Sequence, residues 1–155
     1  MPTRNIVKEG DSCLNKKCRP VTEFNERLHI LLDDMQETLR LANGAGLAAP
    51  QVGILRRAAI VLLEDGSFKE IVNPVILSKE GTQTDIEGCL SVPGVWGMVE
   101  RPMKVTVSAQ DRFGEPFVIQ AEGFTARAFC HEIDHLDGHL FTEFVTEYID
   151  PEDLE

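Results

Sequence analysis

His131 and His135 stand four residues apart in His131-Glu132-Ile133-Asp134-His135. On a helix of about 3.6 residues per turn, positions i and i+4 project from one face, so two imidazoles at this spacing can grip one cation. Glu132, one position along, is close enough in angle to reach a water at that cation without displacing either histidine. A carboxylate there can take the water's proton. The bare pentapeptide also arises by chance on charged surface helices, so the rest of the chain must decide. A catalytic metal needs a third protein ligand and an open coordination position.

Cys89 is the strongest candidate for that third ligand. It stands in Glu87-Gly88-Cys89-Leu90-Ser91, where Gly88 allows close backbone approach and a thiol, once on a metal, is deprotonated. The alternatives are His139 and Glu143, downstream residues of the kind zinc peptidases use, but four and eight residues from His135 are poor spacings for that role. Gly138 should also end the helix and swing His139 off the ligand face. His29 lies between Leu28 and Ile30 with no ligating partner one turn away, and reads as structural.

The metal motif needs a helix, predicted from about Phe124 to Leu136 with Gly138 in the left-handed position beyond its end. A longer amphipathic helix is predicted from about Thr22 to Asn43. There Leu28, Leu31, Leu32, Met35, Leu39 and Ala42 recur at three- and four-residue spacing, and charged residues fill the other face. Between them lie segments with strand character at Ala58–Leu63, Phe68–Leu77, Lys104–Ala109 and Pro116–Ala121. Glu64-Asp65-Gly66 and Asp111-Arg112-Phe113-Gly114 read as hairpin turns, which implies antiparallel pairing. The expected architecture is α+β, antiparallel sheets packed around a central helix carrying the metal motif. One catalytic domain over 1–155 is expected, with about 142–155 a short acidic tail whose Glu147–Glu155 part is expected to be partly frayed.

With 155 residues and 43% hydrophobic content the chain can build a real core. Its net charge of −11, without a cluster of Lys and Arg, argues against DNA as a partner. No apolar run approaches the roughly 20 residues that span a bilayer, and the start has no secretory segment. A cytoplasmic protein is expected. Cys13, Cys18, Cys89 and Cys130 are unevenly spread and read as free thiols or metal ligands.

Three segments together resemble the peptide deformylases: Gly44-Ala45-Gly46-Leu47-Ala48-Ala49-Pro50-Gln51, Glu87-Gly88-Cys89-Leu90-Ser91 and His131-Glu132-Ile133-Asp134-His135-Leu136-Asp137-Gly138. Their order and separations match, and the likeness runs from about Arg4 to Phe141. It implies a metal-dependent hydrolase that removes the formyl group from the N-terminal formyl-methionine of new proteins and releases formate. The resemblance makes Cys89, His131 and His135 the metal ligands and Glu132 the acid/base residue. It also makes the Gln51 side chain and the Leu90 amide the donors to the developing oxyanion. Gly44, Ala45, Gly46 and Gly88 fall where the family's backbone pairs with an extended substrate. The methionine side chain would sit in an apolar pocket with Phe124 and Ala128 as walls.

Two departures stand out. The family commonly has a larger aliphatic residue at Ala45, so the pocket mouth should be wider here. The long C-terminal helix by which some members approach the ribosome is not evident, which weighs against that route for a transient ribosome contact.

Two nitrogens and a thiolate suit zinc or ferrous iron equally; the resemblance favours Fe²⁺, with Zn²⁺ or Ni²⁺ able to occupy the site. Nascent formyl-methionyl polypeptides in a bacterial cytoplasm are the expected substrates. Two rivals account for less. A small zinc peptidase leaves Cys89 and Gln51 without roles, and a metal-stabilised peptide-binding module has no need of Glu132 or Gln51.

Overall fold

The computed structural model describes residues 2–154. Helix α1 spans Glu26–Ala42 and buries Leu28, Leu31, Leu32, Met35 and Leu39, the stripe expected from the spacing. It begins four residues later than the periodicity suggests because Asn25 caps it, its side chain accepting the Leu28 amide at 3.2 Å. Asn43 ends it in the left-handed conformation, with φ 57°. Helix α2 spans Gly123–Leu136, and Gly138 follows at φ 84°.

Among the described residues, eight strands form two antiparallel sheets. The larger has β1 (Gly46–Ala48), β2 (Ala58–Leu62), β3 (Phe68–Glu80), β6 (Lys104–Gln110) and β7 (Pro116–Glu122), in the order β1-β2-β3-β6-β7. The smaller has β4 (Gln83–Cys89), β5 (Val92–Arg101) and β8 (Val145–Ile149), in the order β4-β5-β8. Both expected hairpins form. In the β6–β7 turn the Asp111 carboxylate accepts the amides of Phe113 and Glu115 at 2.8 and 3.0 Å.

The acidic tail departs from expectation. Val145–Ile149 is a paired strand with Trp96 opposite Ile149 and Gly97 opposite Tyr148, and Pro151–Leu154 adds a short exposed 3-10 turn. The backbone ladder with β5 holds this segment even though its three central side chains, Thr146, Glu147 and Tyr148, are exposed.

Strand β2 shows how the layers are built. Ala59 and Val61 pack with Ala126, Phe129 and Ile133 of α2, whereas Ala58 and Ile60 pack with Leu28, Leu32 and Leu39 of α1. Successive strand residues point to opposite faces, so the larger sheet is covered by α2 on one face and α1 on the other. This is why β2 reads as an unbroken apolar run rather than an alternating one. The opposite side of α2 meets β4 and β5 through charged groups, so α2 lies between the two sheets. This is an α+β architecture.

Candidate metal centre and its cleft

The spacing of His131 and His135 on α2 does what helical geometry requires: both imidazoles face β4, and Cys89 at the end of β4 meets them. The Sγ of Cys89 lies 3.3 Å from Nε2 of His135. One ligand atom from each of the three residues falls within 4.8 Å of the others. The donor set of two imidazole nitrogens and a sulfur fits a divalent transition metal with positions left over for a reactant. Burial acts against charge on both histidines. For His135 it prevails and holds the ring well below the ordinary imidazole range. For His131 it is outweighed by the Cys89 hydrogen bond, the charge of Glu132 and the Glu87 hydrogen bond, which push the ring well above that range.

Glu132 is buried beside this cluster, and its Oε1 has no hydrogen-bond partner among the described residues. Burial pushes its carboxyl up to about 7, where it can both hold and release a proton near neutrality. A buried carboxylate oxygen without a partner is costly unless a ligand or water answers it. The space it occupies depends on Gly46. A Cβ at that position would lie 2.5 Å from Oε2 of Glu132 and 2.9 Å from Cδ, so only glycine leaves the carboxylate where it is.

Gln51 is also buried, in the 3-10 turn Ala49–Val52 that follows β1. Its Oε1 accepts the Ala48 amide at 3.0 Å, which fixes the amide plane and directs Nε2 toward Ser91 Oγ at 3.1 Å and Cys89 Sγ at 3.6 Å. Leu90 follows Cys89 on the cavity wall, and its side chain closes against Gly44, where a Cβ would stand 3.0 Å from Leu90 Cδ1.

Gln51, Cys89, Leu90, His131 and Glu132 line a cavity of about 470 Å³. Gly44, Ala45, Gly46 and Gly88 border it, as do Phe124 and Ala128. Ala128 is buried in its wall, whereas Phe124 is 65% exposed and stands at its mouth rather than in the core. Two strands at the cavity, β1 and β4, are each the outermost strand of their sheet, so each presents an unpaired backbone edge. His29 and His139 lie outside. The His29 Nε2 pairs with the Arg112 carbonyl at 2.8 Å and its ring packs edge-on to Phe113, and His139 pairs with Glu143 at the surface. The four cysteines form no disulfide, and burial pushes the Cys18 and Cys130 thiols up to about 11.

Several functional neighbours were not foreseen. Glu87 accepts from His131 Nδ1 at 3.0 Å, from Arg101 Nε and Nη2 at 2.9 Å each, and from Arg127 Nη1. Burial by itself would raise its pKa, but the His131 and Arg101 hydrogen bonds hold the carboxyl down at about 2. Arg127 precedes His131 by four residues, on the ligand face of α2, and that position was the available signal. Ser91, which accepts from Gln51, stood inside the Glu87–Ser91 segment, but a serine by itself announces no role.

The polypeptide deformylase family model matches residues 3–149 of this chain. The chain belongs to that family. A peptide deformylase from Caldicellulosiruptor bescii is 54% identical over all 155 residues and 93% of its own length, and one from Acetivibrio thermocellus is 50% identical over the whole chain and 91% of its own. Among solved structures, the peptide deformylase of Thermotoga maritima superposes with a TM-score of 0.91 at 37% identity, covering 94% of this chain and 99% of that one. The enzyme from Legionella pneumophila gives 0.89 at 44% identity, covering 93% and 86%. Peptide deformylases hydrolyse the formyl amide at the N-terminus of new polypeptides, and this chain is a hydrolase of that kind.

Proposed function

We propose that the cleft carries out deformylation with Cys89, His131 and His135 holding one divalent metal, Fe²⁺ in the cell and replaceable by Zn²⁺ or Ni²⁺. The observation that carries this reading is the meeting of three ligand atoms, an unpartnered buried carboxylate and an oriented amide donor at one cavity wall. When bound, the metal supplies the Lewis acidity that makes water a nucleophile at neutral pH.

The protein groups then divide the rest of the work. Glu132 takes a proton from the water that attacks the formyl carbon. Gln51 Nε2 and the Leu90 amide donate to the formyl oxygen as it gains charge, which is where preorganised donors lower the barrier most. When the C–N bond breaks, Glu132 returns the proton to the departing nitrogen, leaving formate and a free N-terminus.

The two open strand edges explain tolerance for many substrates. An extended peptide entering between β1 and β4 can pair its main chain with the backbone at 44–46 and at Gly88, and such pairing is blind to side-chain identity. The methionine side chain goes toward Ala128, with Phe124 at the entrance. Ala45 leaves that entrance wider than a larger aliphatic residue would. The substrates are formyl-methionyl nascent chains in a bacterial cytoplasm, and the whole of 1–155 acts as one catalytic domain. Any contact with the ribosome is transient. No helix among the described residues is long and apolar enough to cross a membrane.

The test is to incubate anaerobically purified, metal-assayed protein with a formyl-methionyl peptide and its acetylated counterpart, measuring formate and free amine. Formate from the formyl peptide alone is the expected result. Cleavage of internal peptide bonds, or no release from protein with one Fe²⁺ or Ni²⁺ bound, would overturn the assignment.

A further inference from the structure

Gln51 and Ser91 come from different sheets. Gln51 sits in the short 3-10 turn after β1, and Ser91 in the turn that joins β4 to β5. Neither turn is part of a ladder that fixes it to the other. Yet the donor geometry proposed above depends on their relation, because Ser91 Oγ accepts from Gln51 Nε2 at 3.1 Å and Leu90 directly precedes Ser91.

The segment before α1 supplies the missing connection. It has little regular structure of its own, but it runs along all three motifs. The Val7 amide donates to the Gln51 carbonyl at 2.7 Å, and two residues on the Glu9 amide donates to the Ser91 carbonyl at 2.8 Å. The Cys13 thiol lies 3.5 Å from the Pro50 carbonyl, and the Cys18 amide donates to the Leu136 carbonyl at 2.8 Å, at the end of the helix that carries the histidines. The Val7 side chain is half-buried against the cluster of Val92, Val99 and Phe141, which anchors this stretch at the β4–β5 end of the cleft. Upstream, Arg4 is tied to α1 through Asp34 and Thr38 at 3.0 and 2.9 Å. A chain anchored at both ends and bonded to residues 51 and 91 in between holds these two turns at one separation.

We infer that residues 7–9 are a staple whose backbone amides, on Val7 and Glu9, set the position of Gln51 against Ser91 and Leu90, making Val7 and Glu9 positioning residues for the oxyanion donors. The inference rests on the catalytic reading given above. It assigns no ligand contact to the staple: the effect runs through the carbonyls of residues 51 and 91. Because misplacing a catalytic group by about 1 Å can cost on the order of a hundredfold in rate, two hydrogen bonds at this place matter more than their count suggests.

Proline removes an amide N–H, so the double variant Val7→Pro, Glu9→Pro deletes both donors, while Val7→Ala and Glu9→Ala keep them and report what the side chains contribute. The expected result on a formyl-methionyl peptide is a fall in kcat of about tenfold to a hundredfold, with KM and the visible absorption of Co²⁺-loaded protein unchanged. Gln51→Ala should cost much less in the double-proline background than in the native one, since both changes disable the same donor. An unchanged kcat, or losses that multiply in full, would overturn the staple.

If the native protein releases no formate at all, the functional reading fails, and the staple is then judged by the Gln51 side-chain amide resonances, which must shift in the proline variant. Should the double variant not fold, Cys13 offers a ligation site. A synthetic 1–12 segment with ester bonds replacing the two amides gives the full chain with only the donors removed, and the same outcomes apply.

Discussion

Glu87 is where the buried charge of the cleft converges, since one carboxylate answers His131, Arg101 and Arg127. Its bond to His131 Nδ1 leaves Nε2 to face the metal position, the usual way in which a carboxylate behind a ligating histidine sets its tautomer and orientation. Glu87→Gln keeps the shape but weakens the acceptor, and should lower metal affinity by about tenfold to a hundredfold in a competition assay with a chromophoric chelator. Affinity equal to the native protein would show that His131 is oriented by packing alone. Glu87→Ala should be worse in a different way. It leaves two guanidinium groups buried without their shared partner, a change of the kind that costs about 3–5 kcal/mol, and should appear chiefly in the melting temperature. Glu132 presents the opposite case. Glu132→Ala removes an unpartnered oxygen, so it should bind metal normally and melt no lower, while turnover falls by at least about a hundredfold. Substantial activity in that variant would remove Glu132 from the proton path.

At the scale of elements, the close approach of β1 to α2 makes Gly46 a constraint on catalysis. Gly46→Ala would drive a methyl group into the Glu132 carboxylate. Because α2 is packed between two sheets and cannot retreat, the carboxylate must turn away. Activity should fall by about a hundredfold for a displacement of an ångström, whereas stability should drop by only about 1–3 kcal/mol, as for other overpacked sites. A variant that unfolds instead would mean the contact supports the fold more than the site.

The same elements differ in how plainly the amino-acid sequence announces them. Helix α1 was legible because it buries a continuous stripe, α2, buried almost all round, through its two histidines one turn apart and the terminating Gly138, and β2, β3, β6 and β7 because apolar residues dominate between recognisable turns. Strands β4 and β5 were not. Gln83-Thr84-Asp85 is polar at an exposed edge, and β5 contains Pro93, Gly94 and Gly97, residues that local propensity assigns to loops. Their strand character comes from pairing with each other, a non-local cause. The acidic β8 was hidden for the same reason. The two histidines and Glu132 followed from helical spacing, but Cys89 was only a candidate until a motif comparison joined it to them. Gln51 was invisible to spacing altogether, since an isolated amide far from the helix carries no periodic signal.

For the molecule as a whole, the proposed ligand set links its two sheets. His131 and His135 ride on α2, which is packed on the larger sheet, and Cys89 ends β4 of the smaller one. A metal held by all three therefore ties the halves together across the cleft, beside the Glu87 network that already does so through Arg127 and Arg101. Binding to the folded state alone stabilises it by RT ln(1 + [L]/Kd), or about 4 kcal/mol at a free concentration a thousand times Kd. For a chain of this size that corresponds to a rise in melting temperature on the order of 10 °C. Removing the metal with a chelator should reverse it, and the amides of β4 and β5 should exchange faster than those of β2 and β3, since the smaller sheet loses one of its ties to α2. In Cys89→Ala the chelator should have little further effect, because two histidines on one helix cannot bridge to the other sheet. Equal loss of exchange protection in both sheets would mean that the metal stabilises α2 itself rather than the junction, and that the Glu87 network alone holds the halves in register.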